Sequence, residues 1–105
     1  MRIYVDVDDT ICYYDREFDG IGKDYSLAIP HKDRIEKINK LYDEGNKIVY
    51  WTARGTVTQH FWFETTHDQL KKWGCKFHEL KMGKPAYDLF IDDKNINSER
   101  YFKSN

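Results

Sequence analysis

Short apolar runs along the chain alternate with segments whose apolar residues recur every three to four positions. The runs are rich in β-branched and aromatic residues and predict strands at 3–5, 47–51 and 88–91, with a shorter strand at 76–78. Strands separated by helical patterns are typical of βαβ units. The order of the elements therefore predicts an α/β fold built on a parallel sheet.

Helical patterns occupy the spaces between the runs. The first predicted helix begins near Pro30 and ends before Gly45, as helix termini prefer. Its apolar face consists of Ile35, Ile38, Leu41 and Tyr42. Two further helices are expected at about 56–73 and 97–102.

Residues 11–29 follow neither period, because aromatic, acidic and glycine residues are mixed there without order. We interpret this segment as a short flap, either a hairpin or an irregular loop, after the first strand. A chain of 105 residues is long enough for one core and too short for two. We therefore expect residues 1–105 to form a single domain with a three-layer, Rossmann-like parallel sheet.

The charge balance points to no macromolecular partner. Seventeen Lys and Arg residues nearly offset eighteen Asp and Glu residues, which leaves a formal net charge of −1. A chain so close to neutrality has no general reason to bind nucleic acid or an anionic membrane. It also lacks a signal-peptide pattern and any apolar stretch near the roughly 20 residues that span a bilayer. These features predict a cytoplasmic protein without a membrane partner.

Three of the predicted strands run into polar residues, Asp6, Thr52 and Asp92. Ligands of parallel α/β sheets bind beyond the carboxyl ends of the strands, so these residues locate a candidate site. Asp8 lies two residues after Asp6, and alternate residues of an extended segment point to the same side.

Asp93 directly follows Asp92, so four carboxylates are expected at this edge of the sheet: those of Asp6, Asp8, Asp92 and Asp93. A like-charge pair 4 Å apart costs about 4 kcal/mol at an effective dielectric constant near 20, so the cluster needs a cation. Ligands that are all oxygen favour a hard ion, and Mg²⁺ is the usual one at phosphate sites. The sequence therefore predicts a magnesium site.

The same residue types suit the hydrolysis of a phosphate ester. Asp6 could attack phosphorus and form a covalent intermediate, while Lys84 and Thr52 offset the negative charge of the phosphate. Asp8 could protonate the leaving oxygen and later take a proton from the water that cleaves the intermediate.

Four segments, in order and spanning nearly the whole chain, resemble the motifs of the haloacid dehalogenase superfamily of phosphatases. They are the apolar run followed by Asp-Val-Asp-Asp-Thr at 6–10, the strand ending in Thr52, Lys84 followed by Pro85, and the strand ending in Asp92 and Asp93. The stretch between the first and second motifs and the stretch between the second and third are both too short to hold a cap domain. The chain therefore resembles the small capless phosphatases found in capsule and surface-polysaccharide gene sets.

The resemblance implies a role for each motif residue. Asp6 would be the nucleophile and Asp8 the general acid and base, while Thr52 and Lys84 would bind phosphate. Mg²⁺ would be bound by Asp6, the backbone carbonyl of Asp8 and Asp92, with Asp93 acting through water or by orientation.

We therefore expect a Mg²⁺-dependent phosphomonoester hydrolase that acts on a small phosphorylated metabolite, with a sugar phosphate as the favoured example. A nucleotide or a nucleic-acid 3′-phosphate is an alternative substrate, although the balanced charge argues against the polymer. A phosphorylatable signalling module resembling response-regulator receivers uses the same residue types. Its acidic pair, however, precedes the acceptor aspartate instead of following it.

Two interpretations stay open from the sequence. Arg54 could bind the distal part of the substrate, or it could be a solvated surface residue. The aromatic residues of the flap could stack on substrate, pack within the flap, or contribute to a homo-oligomer interface.

Overall fold

A parallel sheet of three strands organises the fold. The structure, a computed structural model, describes residues 1–15, 24–56 and 61–103. Strand β1 (Arg2–Val5) pairs with β4 (Lys47–Trp51), which pairs with β5 (Glu79–Lys81). The sheet order is β1-β4-β5, and the register sets Ile3 opposite Ile48. The predicted parallel α/β architecture is confirmed.

The segment between β1 and β4 contains a small hairpin and a helix. Strands β2 (Cys12–Tyr13) and β3 (Ile29–Pro30) pair in antiparallel fashion, and a 3₁₀ turn covers Tyr25–Leu27. These elements lie within the predicted flap, of which residues 16–23 are outside the described residues. Helix α1 (Lys32–Asp43) follows directly, as its period predicted.

Two further helices follow the central strand. Helix α2 (Phe63–Lys72) is shorter than the predicted range of 56–73, in which residues 57–60 are not described. It ends at Lys72, and Gly74 follows with a φ of 77°, which allows the Cys75 amide to donate to the carbonyl of Leu70. Helix α3 (Ser98–Lys103) closes the described chain.

Two strand predictions were wrong. The third strand begins at Glu79, one residue after the predicted range of 76–78. Residues 88–91 form no strand, and the side chains of Leu89 and Ile91 are 75% and 88% exposed. An apolar run becomes a strand only where another backbone pairs with it, and this segment pairs with none in the described chain.

The core lies between the sheet and the first two helices. Ile35 and Ile38 of α1 and Leu70 of α2 are buried against the strand residues Val5 and Ile48. Burial of the α1 face confirms its predicted period. No helix in the described ranges is long and apolar enough to cross a bilayer.

Candidate functional site

Asp6 and Lys84 meet at the carboxyl end of the sheet, where they follow β1 and β5, the strands on either side of β4. Asp6 directly follows β1, and Lys84 lies three residues after β5. The Nζ atom of Lys84 is 3.5 Å from Oδ1 of Asp6, and the exposed fractions of the two side chains are 14% and 38%. An ammonium group is therefore held beside a carboxylate that solvent can still reach.

Thr52 links this pair to the central strand. Its backbone amide donates to the carbonyl of Lys81 at 3.0 Å, and its carbonyl accepts from the amide of Lys84 at 3.1 Å. The Thr52 hydroxyl is buried and accepts a hydrogen bond from the backbone amide of Arg54 at 3.1 Å. That bond uses the hydroxyl as an acceptor and leaves its O–H as a donor.

A tight turn after β1 sets the position of Asp8. The amides of Thr10 and Ile11 donate to the carbonyl of Val7, and the amide of Asp9 donates to the carbonyl of Cys12. Asp9 has a φ of 60°, a left-handed conformation that aspartate tolerates better than most residues. The turn therefore reverses the chain while Asp8 remains close to Asp6.

Asp8 forms a bidentate ion pair with Arg54. The Nε and Nη2 atoms of Arg54 donate to the two carboxylate oxygens of Asp8 at 3.0 and 2.8 Å. The Tyr14 hydroxyl donates to Oδ1 of Asp8 at 2.6 Å, and the Cys12 thiol lies 3.4 Å from the same oxygen. These donors fix the Asp8 carboxylate in one orientation.

Arg54 also binds helix α2. Its Nη1 atom donates to Oγ1 of Thr66 at 3.0 Å and to Oε1 of Gln69 at 2.6 Å. Its guanidinium carbon lies 4.9 Å from the centre of the Tyr25 ring, within range of a cation–π contact. With 2% of its surface exposed, Arg54 is not a solvated surface residue, so that interpretation was wrong. Contact with a substrate stays a prediction.

The environments of the two aspartates shift their pKa values in opposite directions. Burial raises the pKa of Asp6, and the neighbouring Lys84 offsets only part of that effect. Burial would also raise the pKa of Asp8, but its hydrogen bonds and ion pair with Arg54 outweigh burial and hold that pKa below the usual value. The ionised form of Asp8 is therefore stabilised by its surroundings, whereas the ionised form of Asp6 is destabilised.

The predicted metal ligands are not gathered into one set. Asp92 and Asp93 lie in the exposed segment 85–97. Among residues 1–15, 24–56 and 61–103, no three His, Cys, Asp or Glu side chains are arranged to hold a metal ion. Asp6 offers a partly exposed carboxylate, but the side-chain oxygens of Asp8 are already bound to Arg54. The side chains as placed do not form a complete magnesium site.

Sequence reasoning missed the partners of Arg54. Thr66 lies four residues before the buried Leu70 and three before Gln69, and residues three or four apart share a helix face. Thr66 is itself fully buried. Since buried polar groups need hydrogen-bond partners, polar residues on an apolar helix face were a usable signal.

Comparisons with known proteins show the fold alone. The chain matches no protein-family model and no curated protein. It is similar to a solved structure of a structural-genomics target from Vibrio cholerae, with a TM-score of 0.81 and 23% sequence identity. The similarity covers 99% of this chain and 89% of the other. A likeness at this identity supports the overall architecture, and the function has to be argued from the site.

Proposed function

We propose that this protein is a Mg²⁺-dependent phosphomonoester hydrolase with a three-layer, Rossmann-like fold of the capless haloacid dehalogenase type. Its substrate would be a small phosphorylated metabolite, with a sugar phosphate as the favoured example. The observation that carries the proposal is the 3.5 Å contact between Lys84 and Asp6. It supplies a nucleophile and a phosphate-binding cation at the edge of the sheet where ligands bind.

Lys84 would make the approach of a phosphate dianion to Asp6 feasible. Two like charges in a partly buried site repel strongly, and one ammonium group within hydrogen-bonding reach offsets part of that repulsion. The O–H group of Thr52, at the end of the adjacent strand, could donate a further hydrogen bond to a phosphate oxygen.

The reaction would proceed in two displacements. A carboxylate oxygen of Asp6 forms a bond to phosphorus as the bond to the ester oxygen breaks. Asp8 has to take up a proton from solvent before this step, because its bonds to Arg54 outweigh burial and hold its pKa low. It then gives that proton to the leaving oxygen. Water then attacks the phosphorus of the aspartyl-phosphate as the bond between phosphorus and the Asp6 oxygen breaks, and it passes a proton to Asp8. Inorganic phosphate leaves, and Asp6 returns to its starting state.

The proposal includes a bound Mg²⁺ and names the groups that would bind it. The candidates are the Asp6 carboxylate, the Asp8 backbone carbonyl and Asp92, with Asp93 orienting the set. A bound Mg²⁺ would offset negative charge on the phosphate. As Asp92 and Asp93 are not assembled with Asp6, the steps above are assigned to protein groups only.

The proposal is tested with purified protein and a panel of phosphate esters in Mg²⁺. The panel should contain sugar phosphates, nucleotides, a 3′-phosphorylated oligonucleotide and an aryl phosphate. We expect turnover of at least one small ester, and its loss in Asp6→Asn, which removes the nucleophile. Asp9→Asn is the matched control, because Asp9 is exposed and adjacent to the motif residues yet has no proposed role.

Two results would contradict the proposal. Near-normal turnover by Asp6→Asn would exclude Asp6 as the nucleophile. A long-lived phosphoprotein without turnover would favour the receiver-like module instead of the hydrolase.

A further inference from the structure

Arg54 joins three separate parts of the fold at one buried point. Its guanidinium group contacts Asp8 in the turn after β1, the side chains of Thr66 and Gln69 on α2, and the ring of Tyr25. Gln69 in turn donates to the carbonyl of Tyr25 at 2.7 Å. Each nitrogen of the guanidinium group has an acceptor within the chain.

The bidentate geometry of the Arg54–Asp8 pair fixes the orientation of the two groups as well as the distance between them. A bidentate guanidinium binds both oxygens of a carboxylate in one plane, whereas an ammonium group acts as a point charge that leaves the carboxylate free to turn. The α2 residues Thr66 and Gln69 hold the opposite side of Arg54, so the guanidinium plane is itself fixed. The orientation of Asp8 is therefore set from helix α2.

We propose that Arg54 is a positioning residue that holds the Asp8 carboxylate in its working orientation beside Asp6. The inference rests on the proposed hydrolase function and assigns Arg54 to the acid and base group instead of to the substrate. It predicts that losing the bidentate pair slows the chemical steps and leaves substrate binding unchanged.

The first test is Arg54→Lys, which keeps the charge and removes the planar pair of donors. We expect kcat to fall about 100-fold, the scale of a misplacement of roughly 1 Å, while KM stays close to that of the wild type. Arg100→Lys is the matched control, because Arg100 is exposed on α3 and should behave as the wild type does. Tyr14→Phe removes one donor to Asp8, keeps the Arg54 pair, and should lower kcat by a smaller factor.

Chemical rescue separates positioning from packing. In Arg54→Ala, added guanidinium should restore turnover in a saturable way at concentrations that leave the protein folded. Urea has a similar shape without the charge and should restore none. If Arg54 had a purely structural role, a charged planar ion would not restore turnover. Rescue by guanidinium and not by urea would therefore indicate that the ion orients Asp8.

The outcomes distinguish the two proposals. A wild-type kcat in Arg54→Lys, a raised KM with unchanged kcat, or equal rescue by urea would overturn the inference while the hydrolase function stands. Absence of any Mg²⁺-dependent phosphatase activity in the wild type would overturn the proposed function, and the inference with it. Should Arg54→Ala not fold, the Arg54→Lys and Tyr14→Phe kinetics decide the question.

Discussion

At the scale of single residues, the most constrained interaction is the ion pair between Asp8 and Arg54. The side chain of Arg54 is fully buried and that of Asp8 is 18% exposed. The desolvation cost of such a pair can equal its Coulombic gain, so the pair is weak evidence of stability. Removing one partner of the pair is strongly destabilising, because an uncompensated charge then remains in the interior.

We therefore expect Asp8→Ala to lower the free energy of unfolding by about 3 to 5 kcal/mol at neutral pH. Asp43→Ala is the control, because it removes an ion pair with Lys76 in which both side chains are more than half exposed. Loss of such a surface pair costs about 1 kcal/mol or less. Urea unfolding of both variants measures the difference, and equal losses would show that the Asp8 pair is no more costly to break than a surface pair.

The penalty of Asp8→Ala should also depend on pH. The pKa of Asp8 is lower in the folded protein than in the unfolded chain, so its contribution to stability is fully present above the unfolded pKa of about 3.9. That contribution is lost as pH falls through the lower, folded pKa. The stability difference between wild type and Asp8→Ala should therefore narrow in strong acid.

At the scale of elements, sequence reasoning succeeded where the signal was local. The period of Ile35 and Ile38 predicted α1, and the β-rich run at Lys47–Trp51 predicted the central strand. The meeting of Asp6 and Lys84 was also predictable, because both follow strands whose carboxyl ends share one edge of a parallel sheet.

The failures were non-local. The burial of Arg54 depends on the pair with Asp8, 46 residues away, as well as on Thr66 and Gln69 of α2, so the residues immediately around Arg54 do not contain the reason. Residues 88–91 have the composition of a strand, but a short apolar run does not specify its own pairing partner. Strand formation depends on that partner as much as on the run.

The exposed segment gives a direct test at this scale. Because Ile91 is 88% exposed, Ile91→Ala should change the free energy of unfolding by about 0.5 kcal/mol or less. Ile38→Ala, at a position 2% exposed in α1, should lower it by about 2 to 5 kcal/mol. Denaturant unfolding compares the two, and a similar loss in both would indicate that residues 88–91 form the buried strand that their sequence predicts.

At the scale of the whole molecule, the proposed metal site requires the two ends of the chain to meet. If Mg²⁺ binds as proposed, Asp92 has to approach Asp6, and the exposed residues 88–93 have to become ordered around the ion. A ligand that binds only the folded state raises stability by mass action, by about 2.7 kcal/mol at a hundredfold excess over Kd.

We therefore expect Mg²⁺ to raise Tm and to slow amide hydrogen exchange in residues 88–93. Asp92→Asn should remove both effects, whereas Asp88→Asn, in the same exposed segment and with no proposed ligand role, should retain them. A Tm that is independent of millimolar Mg²⁺ would count against the metal ligands proposed from the two ends of the chain.

The sheet order has a consequence for how the protein behaves in concentrated solution. In the described part of the chain, β1 has β4 on one side and no strand on the other, so the strand that leads into Asp6 is an edge strand of the sheet. An exposed edge strand can pair with a strand of another molecule and so begin aggregation. Its length of four residues and the exposed cation of Arg2 both discourage that pairing. We therefore expect Arg2, at the opposite end of β1 from Asp6, to oppose aggregation through this edge.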